Sequence, residues 1–356
     1  MERFESVVQA IQSRIVKGDY TLDGFPSERR LADGLGVCRV TARKAVQRLV
    51  SAGVLARRTN GRLEVSREAG GERPLPRVAF LAPAFASPFV QHIRLAAERV
   101  GLSCGLPVRA VDFVHEDDPA IGAALDNFPA ALVTGLTTTA PYWVREKLTQ
   151  PGRRVVSIES DLTAWGVPSL VLFPPFCVRA LLEHLAKLGH RIIHCLNTLP
   201  MIPEVERRIE QWRAWVAERG LAGELLNDPV PYYQSPMSHA YAFAHRLLKK
   251  KRLVNAAVFV TAEFSAIGVI RACIERHVRL GRELSLCSLG GDGFYRYLNP
   301  TLTVLEMPRP EDYLEPCLQW LGRSDEAWSG PLLIAPPRLP LFRGESTGAP
   351  AVSRRD

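Results

Sequence analysis

The chain has 356 residues, of which 47% are hydrophobic and 23% are charged, and its formal net charge at pH 7 is +8. This length can bury a substantial core and is typical of two or three domains, and no apolar run approaches the ~18 residues that a membrane span requires. Residues 1–73 carry a net charge of +5 and the remaining residues only +3, so we expect an anionic partner to meet the first fifth of the chain.

Three helices and a hairpin are predicted at the N-terminus. Apolar residues recur at three- and four-residue steps over 4–17 and predict the first helix. Ser27 is placed to cap a second helix, which Gly36 ends, and a third helix is predicted over 38–51. Two short strands flank Asn60-Gly61, a dipeptide typical of hairpin turns. This order of elements predicts a winged helix-turn-helix over residues 1–66.

The rest of the chain has the pattern of an α/β fold. Residues 67–76 are polar and contain glycine and proline, which predicts a linker. From 77 to 347, short continuous apolar runs alternate with amphipathic segments of helix length, which indicates parallel sheets covered by helices. Two groups of such units predict two lobes, followed by a flexible tail over 348–356.

Cysteine usage and the N-terminal segment point to a reducing compartment. The seven cysteines are scattered and never have C-x-x-C spacing, so we expect no disulfide framework and no metal site. Charges run throughout the N-terminal helix, which therefore lacks the apolar core of a signal peptide. We expect a cytoplasmic protein.

Two stretches carry resemblances to known families. "PSERRLADGLGVCRVTARKAVQRLVSAGVL" (26–55) resembles the GntR-type winged-helix DNA-binding domain. "LLEHLAKLGHRII", "RRIEQWRAWVAERGL" and "AAVFVTAEFSAIGVIRACIE" resemble the LacI-type effector domain, which has the fold of periplasmic sugar-binding proteins. The combination is similar to GntR/LacI hybrid repressors of the arabinose type. It implies a bacterial transcription regulator that binds a palindromic double-stranded DNA operator as a homodimer and responds to a sugar or polyol.

The third helix is the predicted DNA-reading element. Arg39 and Arg43 lie four residues apart and share a face away from the apolar stripe, where arginine can read guanine in the major groove or hold phosphate. Cys38 and Val40 depart from the family pattern, which favours hydroxyl residues there. A solvated helix face is the alternative interpretation. The residues expected to contact DNA are Arg29, Arg39, Thr41, Arg43, Lys44, Gly61 and Arg62.

The resemblance to the effector family also implies a ligand site. Arg208 matches the arginine that binds ligand hydroxyls in sugar-responsive relatives, and Tyr233 is a candidate wall against a sugar face. The ligand-binding candidates are Glu159, Arg208, Tyr233, Glu263 and Asp292. Phe173 and Ala262 stand where the family has polar residues. Arg208 and Glu263 could therefore be structural ion pairs beside a cleft that no longer binds sugar.

Other functions find less support in the sequence. A GntR protein fused to an aminotransferase-like domain needs a Schiff-base lysine in a suitable setting and a longer chain. No lysine follows "GGDG" to make a phosphate loop, and G-x-S-x-G is absent. We therefore expect neither catalytic residues nor a cofactor. The remaining alternative is a constitutive DNA-binding regulator whose cleft is vestigial or binds a protein.

Overall fold

The computed structural model describes residues 2–16, 18–20, 24–57, 61–66, 77–84, 87–231, 234–253, 255–291, 293–323 and 326–350. The predicted linker at 67–76 and the candidate residues Tyr233 and Asp292 lie outside these ranges. Within them, no helix combines the length and the apolar character needed to cross a membrane.

The N-terminal region has the predicted winged-helix order. Its elements are α1 (Glu2–Val16), α2 (Glu28–Leu35), α3 (Arg39–Ser51), β1 (Leu55–Arg57) and β2 (Leu63–Val65). The two strands pair antiparallel, with Leu55 opposite Val65. Their shared core includes the fully buried side chains of Ile11, Ile15, Leu31, Leu49 and Leu55. The periodicity of the three helices therefore predicted both their bounds and the side that each one buries.

The turn between α2 and α3 depends on two capping residues. The Ser27 hydroxyl accepts the Arg30 N–H at 3.4 Å, which satisfies one of the donors left free at the start of α2. Gly36 ends α2 with φ +62°, a left-handed conformation that costs glycine little, and its N–H bonds the Ala32 and Asp33 carbonyls. The chain can then turn directly into α3, which packs against α2.

Alternating strands and helices make up the rest of the described chain. The first group is β3 (Val78–Pro83), α4 (Pro88–Ser103), β4 (Val108–Phe113), α5 (Pro119–Asn127), β5 (Ala130–Thr134), α6 (Tyr142–Leu148), β6 (Arg154–Ile158) and β7 (Ser169–Leu170). The second group is α7 (Val178–Lys187), β8 (Ile193–Asn197), α8 (Pro203–Glu218), β9 (Leu225–Asn227), α9 (Pro236–Lys249), β10 (Ala256–Val260), α10 (Glu263–Glu275), β11 (Leu284–Leu289) and β12 (Thr303–Leu305). The last elements are α11 (Pro310–Gly322), β13 (Leu333–Ile334) and β14 (Leu341–Phe342).

These strands form two six-stranded sheets. One has the order β13-β7-β6-β5-β3-β4 and the other the order β14-β12-β11-β10-β8-β9. In the first sheet β3 pairs parallel with both β4 and β5, and in the second β10 pairs parallel with both β8 and β11. Strands β5, β6, β10 and β11 are buried along their whole length, as continuous apolar runs predict. The prediction of an α/β fold with parallel sheets is confirmed.

The chain divides into two compact units. The first comprises Met1–Ala84, Ile93–Ser169 and Glu311–Leu332, and the second Phe85–His92, Leu170–Pro310 and Leu333–Asp356. In the second unit β8 lies between β9 and β10. The chain therefore moves from β8 to the neighbouring strand on one side, β9, and then crosses to β10 on the other side. The carboxyl ends of strands at such a reversal are where open α/β sheets bind ligands.

The predicted start of the flexible tail, residue 348, is wrong. The Gly348 carbonyl accepts the Ser285 hydroxyl at 3.1 Å, and the Gly348 N–H donates to the same oxygen at 3.0 Å. His190, which is buried, also places its Nε2 2.9 Å from the Gly348 carbonyl oxygen. Backbone hydrogen bonding therefore ties the chain into the second unit beyond residue 347.

Candidate DNA-binding surface and ligand-binding residues

Helix α3 separates an apolar side from a cationic one. Its buried residues are Ala42, Ala45, Val46 and Leu49, and all four face the core of the winged helix. Arg39, Arg43 and Lys44 are exposed, and no ion pair joins them to an acid in the described part of the chain. Their charge is therefore available to an anionic partner. The structure thus brings together four of the predicted DNA contacts on one helix, namely these three cations and Thr41.

The residue that precedes α3 carries a thiol in place of the hydroxyl that usually caps a helix. Cys38 makes no side-chain capping bond to the helix backbone, and its Sγ lies 3.1 Å from Thr41 Oγ1. This hydrogen bond with the Thr41 side chain lowers the pKa of the Cys38 thiol. Thr41 is half-buried and its hydroxyl already has this partner, whereas it was predicted to contact a base or a phosphate. A hydroxyl both donates and accepts, so the second contact stays a prediction.

Arg29 and the hairpin add further positive charge. Arg29 is exposed on α2, directly after Glu28, whose carboxylate is 3.5 Å from the Arg57 guanidinium at the end of β1. That guanidinium also donates to the Gly61 carbonyl at 3.4 Å, so one arginine links the second helix to the hairpin. Gly61 has φ +79°, and both it and Arg62 are exposed. The seven predicted DNA contacts thus lie on α2, α3 and the hairpin.

In the first unit, Glu159 has an unusual backbone conformation. It follows β6 directly and is half-buried, with φ +64°. A left-handed conformation costs a non-glycine residue about 1–2 kcal/mol, and such strain concentrates at functional sites. Next to it, the buried Ser157 hydroxyl donates to the Ser160 carbonyl at 2.6 Å, which fixes the turn. The turn at the carboxyl end of β6 therefore fixes the position of Glu159.

In the second unit, α8 places Arg208. The helix is anchored by Trp212, whose indole N–H donates to the Ile193 carbonyl on β8 at 3.0 Å. Arg208 lies one turn earlier and is half-buried, with its Nε atom inside the protein. A partly buried guanidinium is suited to multidentate donation to oxygens, which is the chemistry predicted for it.

Glu263 holds the chain that follows β11. The residue is the first of α10 and only 4% exposed. Its Oε2 accepts the Gly291 N–H at 2.6 Å, and its Oε1 accepts the Tyr295 N–H at 2.8 Å. Both oxygens are thus hydrogen-bonded to backbone amides of the segment that leads from β11 to the short 3-10 helix Phe294–Tyr297. Glu263 therefore positions this segment, since each of its carboxylate oxygens accepts one backbone N–H.

A polar network at the end of β8 was not predicted from the sequence. Asn197 donates to Asn227 Oδ1 at 2.9 Å and accepts the Thr261 hydroxyl at 2.7 Å. The neighbouring Thr198 hydroxyl donates to Ser265 Oγ at 2.8 Å. The signal available in the sequence is the change from apolar to polar residues at the end of "IHCLNT" and "AVFVT". These groups connect the carboxyl ends of β8, β9 and β10, where the sheet order reverses.

The remaining observations concern Phe173 and the side chains that could bind a metal ion. Phe173 is buried in the core of the second unit, where its ring centroid lies 6.2 Å from that of Phe89. Its aromatic side chain thus serves the packing of that core. Among the described residues, no group of three or more His, Cys, Asp or Glu side chains could hold a metal ion.

Comparison with protein families gives two matches. Residues 4–65 match the family of bacterial regulatory proteins of the gntR type, and residues 182–311 match a periplasmic binding protein-like domain. Among curated proteins, the HTH-type transcriptional regulator MalR of Clostridium butyricum is 30% identical over 70 residues, which span 20% of this chain and 21% of the relative. That match therefore covers about a fifth of each protein.

Solved structures of LacI-family regulators share the fold. A LacI family transcriptional regulator from Enterococcus faecium with bound ribose has 15% identity and a TM-score of 0.64, covering 76% of this chain and 98% of that one. The lac repressor dimer bound to operator and an anti-inducer has 19% identity and a TM-score of 0.62, covering 76% of this chain and 94% of that one. The chain thus joins an N-terminal region that matches the gntR family to a domain that matches the periplasmic binding protein-like model and shares the fold of these regulators.

Proposed function

We propose that this protein is a DNA-binding transcription regulator that binds a two-fold symmetric operator as a homodimer and changes its DNA affinity when a small molecule binds. The observation that carries the proposal is the exposed face of α3, where Arg39, Arg43 and Lys44 have no acidic partner among the described residues. Unpaired cations on a helix that fits the major groove are what recognition of double-stranded DNA requires. The match of residues 4–65 to the gntR family supports the same function.

Two arginine variants test the DNA-binding part. A duplex enriched from a random library is titrated against wild type, Arg39→Ala and Arg29→Ala, with Gln12→Ala, exposed on α1, as the control. We expect Arg39→Ala to lose about 1–3 kcal/mol on the enriched duplex and little on random DNA. Arg29→Ala should weaken the binding of both duplexes equally. It should also reduce the slope of log affinity against log salt concentration by about one. Unchanged affinity in both variants would overturn the docking model.

The homodimer is proposed from the needs of recognition. One winged helix makes few base contacts, so specific affinity requires two linked heads on a symmetric site. We propose that residues 1–66 form the head, that 67–76 link it to the rest, and that the LacI-type domain holds the dimer together. Light scattering of the full chain and of the 1–66 and 77–356 fragments tests this: only the first and last should be dimers.

The proposed effector is a sugar or a related polyol. Supporting it are the half-buried guanidinium of Arg208 and the strained conformation of Glu159, each in its own unit, together with the ribose in the Enterococcus faecium relative. A thermal-shift screen against pentoses, hexoses and polyols tests the assignment. A ligand at about 100 times its dissociation constant should stabilise the protein by about 2.7 kcal/mol.

A second function is favoured by two observations and remains our alternative. The Glu263 carboxylate holds two backbone amides in place, and Phe173, which the resemblance to the effector family places near an acid, is buried in the core. A structural role for the first residue and an apolar side chain at the second fit a constitutive regulator whose LacI-type domain only dimerises or meets a protein. A screen without any stabilising sugar or polyol, combined with retained DNA binding, would favour this alternative.

A further inference from the structure

Helix α3 presents one exposed apolar residue at the centre of its polar side. Val40 is its second residue and is 63% exposed. With about 100° of rotation per residue, Val40 points about 180° away from the buried Leu49. Arg43 and Lys44, one turn further on, flank that direction and are both exposed. The apolar residue therefore lies in the middle of the surface proposed to face DNA.

The chemistry of valine restricts what this position can contact. Its side chain has no atom that donates or accepts a hydrogen bond, so it cannot hold a phosphate or bond a base edge. A β-branched side chain in a helix also has essentially one rotamer, so its two methyl groups have a fixed direction. In the major groove the one apolar group on the base edges is the C5-methyl of thymine. The first residues of a recognition helix are those that reach base edges.

We propose that Val40 is a specificity-determining residue that reads a thymine methyl group in each half-site of the operator. This inference rests on the proposed DNA-binding function and adds an apolar contact to the expected arginine contacts. The arginines on either side would set the position of the helix, and the valine would distinguish thymine from cytosine at one base pair. The contact requires a methyl group at this position, so threonine should preserve the preference for thymine and serine should lose it.

Substitution of thymine by deoxyuridine isolates the contact, because it removes the methyl group and leaves base pairing intact. Each thymine of the library-enriched duplex is replaced in turn, and affinity is measured for wild type, Val40→Ser and Val40→Thr. One buried methyl group corresponds to ~0.8 kcal/mol, or about a fourfold change in affinity. At one thymine per half-site, we expect replacement by deoxyuridine to weaken the binding of the wild-type protein about fourfold. Val40→Thr should show the same decrease in affinity, and Val40→Ser should show none.

Controls separate this inference from the proposed function. Gln12→Ala, exposed on α1 and away from the α3 surface, should show the same thymine dependence as wild type. Melting temperature and salt dependence should be unchanged in Val40→Ser, because the side chain is outside the core and contacts no phosphate. Equal thymine-to-deoxyuridine ratios in wild type and Val40→Ser at every position would overturn the inference and make Val40 an ordinary surface residue, with DNA binding intact. Failure of any duplex to be enriched would instead overturn the proposed function itself, and this inference with it.

Discussion

Glu263→Ala should release the chain segment that follows β11. The variant removes two acceptors, and the two amides they serve differ in exposure: Tyr295 is buried, whereas Gly291 is half-buried and can be rehydrated. A hydrogen bond to a charged group is worth about 1.5–3 kcal/mol, and a buried donor without a partner costs a similar amount. With about 1 kcal/mol for the Gly291 bond and about 2 kcal/mol for the Tyr295 bond, we expect a local loss of about 3 kcal/mol.

Hydrogen exchange is the appropriate assay, because a chain of two units is not expected to unfold in a single two-state transition. A local loss of about 3 kcal/mol corresponds to a roughly hundredfold faster exchange of the Tyr295 amide, measured by mass spectrometry on a peptide that covers 293–297. Glu263→Gln should fall between wild type and Glu263→Ala, because its carbonyl oxygen can accept only one of the two amides well. Glu275→Gln, at the other end of α10, is the control and should leave this peptide unchanged.

The result also decides between positioning and ligand contact. If exchange in Glu263→Ala stays within about twofold of wild type, the two hydrogen bonds do not hold this segment and the reasoning is refuted. If exchange accelerates as expected in protein without ligand, the side chain stabilises the protein before any effector binds. A ligand contact by Glu263 would then use the remaining lone pair of an oxygen that already holds a backbone amide.

Three further outcomes follow from single residues. Arg208→Ala should abolish the calorimetric response to any sugar found in the screen while DNA affinity stays at the wild-type value; wild-type ligand affinity would remove Arg208 from the site. Gly268→Val should lower the melting temperature of the second unit by several degrees, because a Cβ there would lie 2.3 Å from the Met237 carbonyl oxygen on α9. Burial lowers the pKa of His190 below its ordinary value, so its neutral form is favoured in the folded state. Stability should therefore fall as the pH drops below about 6.5, and His190→Asn should reduce this slope in urea unfolding curves.

Local signals explain what the sequence could predict. Helix α3 was expected over 38–51 and spans Arg39–Ser51, because its apolar spacing and its flanking capping signals act within a few residues. The buried strands were recognisable for the same reason: a strand covered on both faces is a continuous apolar run. The exposed side of α3, which carries Arg39, Arg43 and Lys44, could be predicted in the same way, since the buried side of a helix determines which side remains exposed.

Contacts between distant segments explain what the sequence could not predict. The Glu263 carboxylate meets amides 28 and 32 residues later, and Asn197 meets an amide oxygen 30 residues later. The sequence pattern does not reveal these partners. A backbone N–H is present at almost every position, and one polar side chain at the end of a strand has no periodicity. Gly348 was assigned to the tail for the same reason: its carbonyl reaches His190, 158 residues earlier. Only the arrangement of strands around β8 and β10 makes these pairs neighbours.

The distribution of ion pairs gives the uneven charge of the chain a physical meaning. In the second unit many arginines lie against carboxylates, among them the pairs Arg219–Glu183, Arg246–Asp228, Arg252–Glu224 and Arg279–Glu283. In the basic run at 249–252, Arg252 belongs to this pattern, whereas Lys249, Lys250 and Lys251 are exposed without an ion pair among the described residues. Charges of opposite sign a few ångströms apart cancel beyond the ~8 Å over which salt screens them. The cations of α3 have no such carboxylate among the described residues, so their field can reach a polyanion, and this gives the net charge of +5 over residues 1–73 its significance.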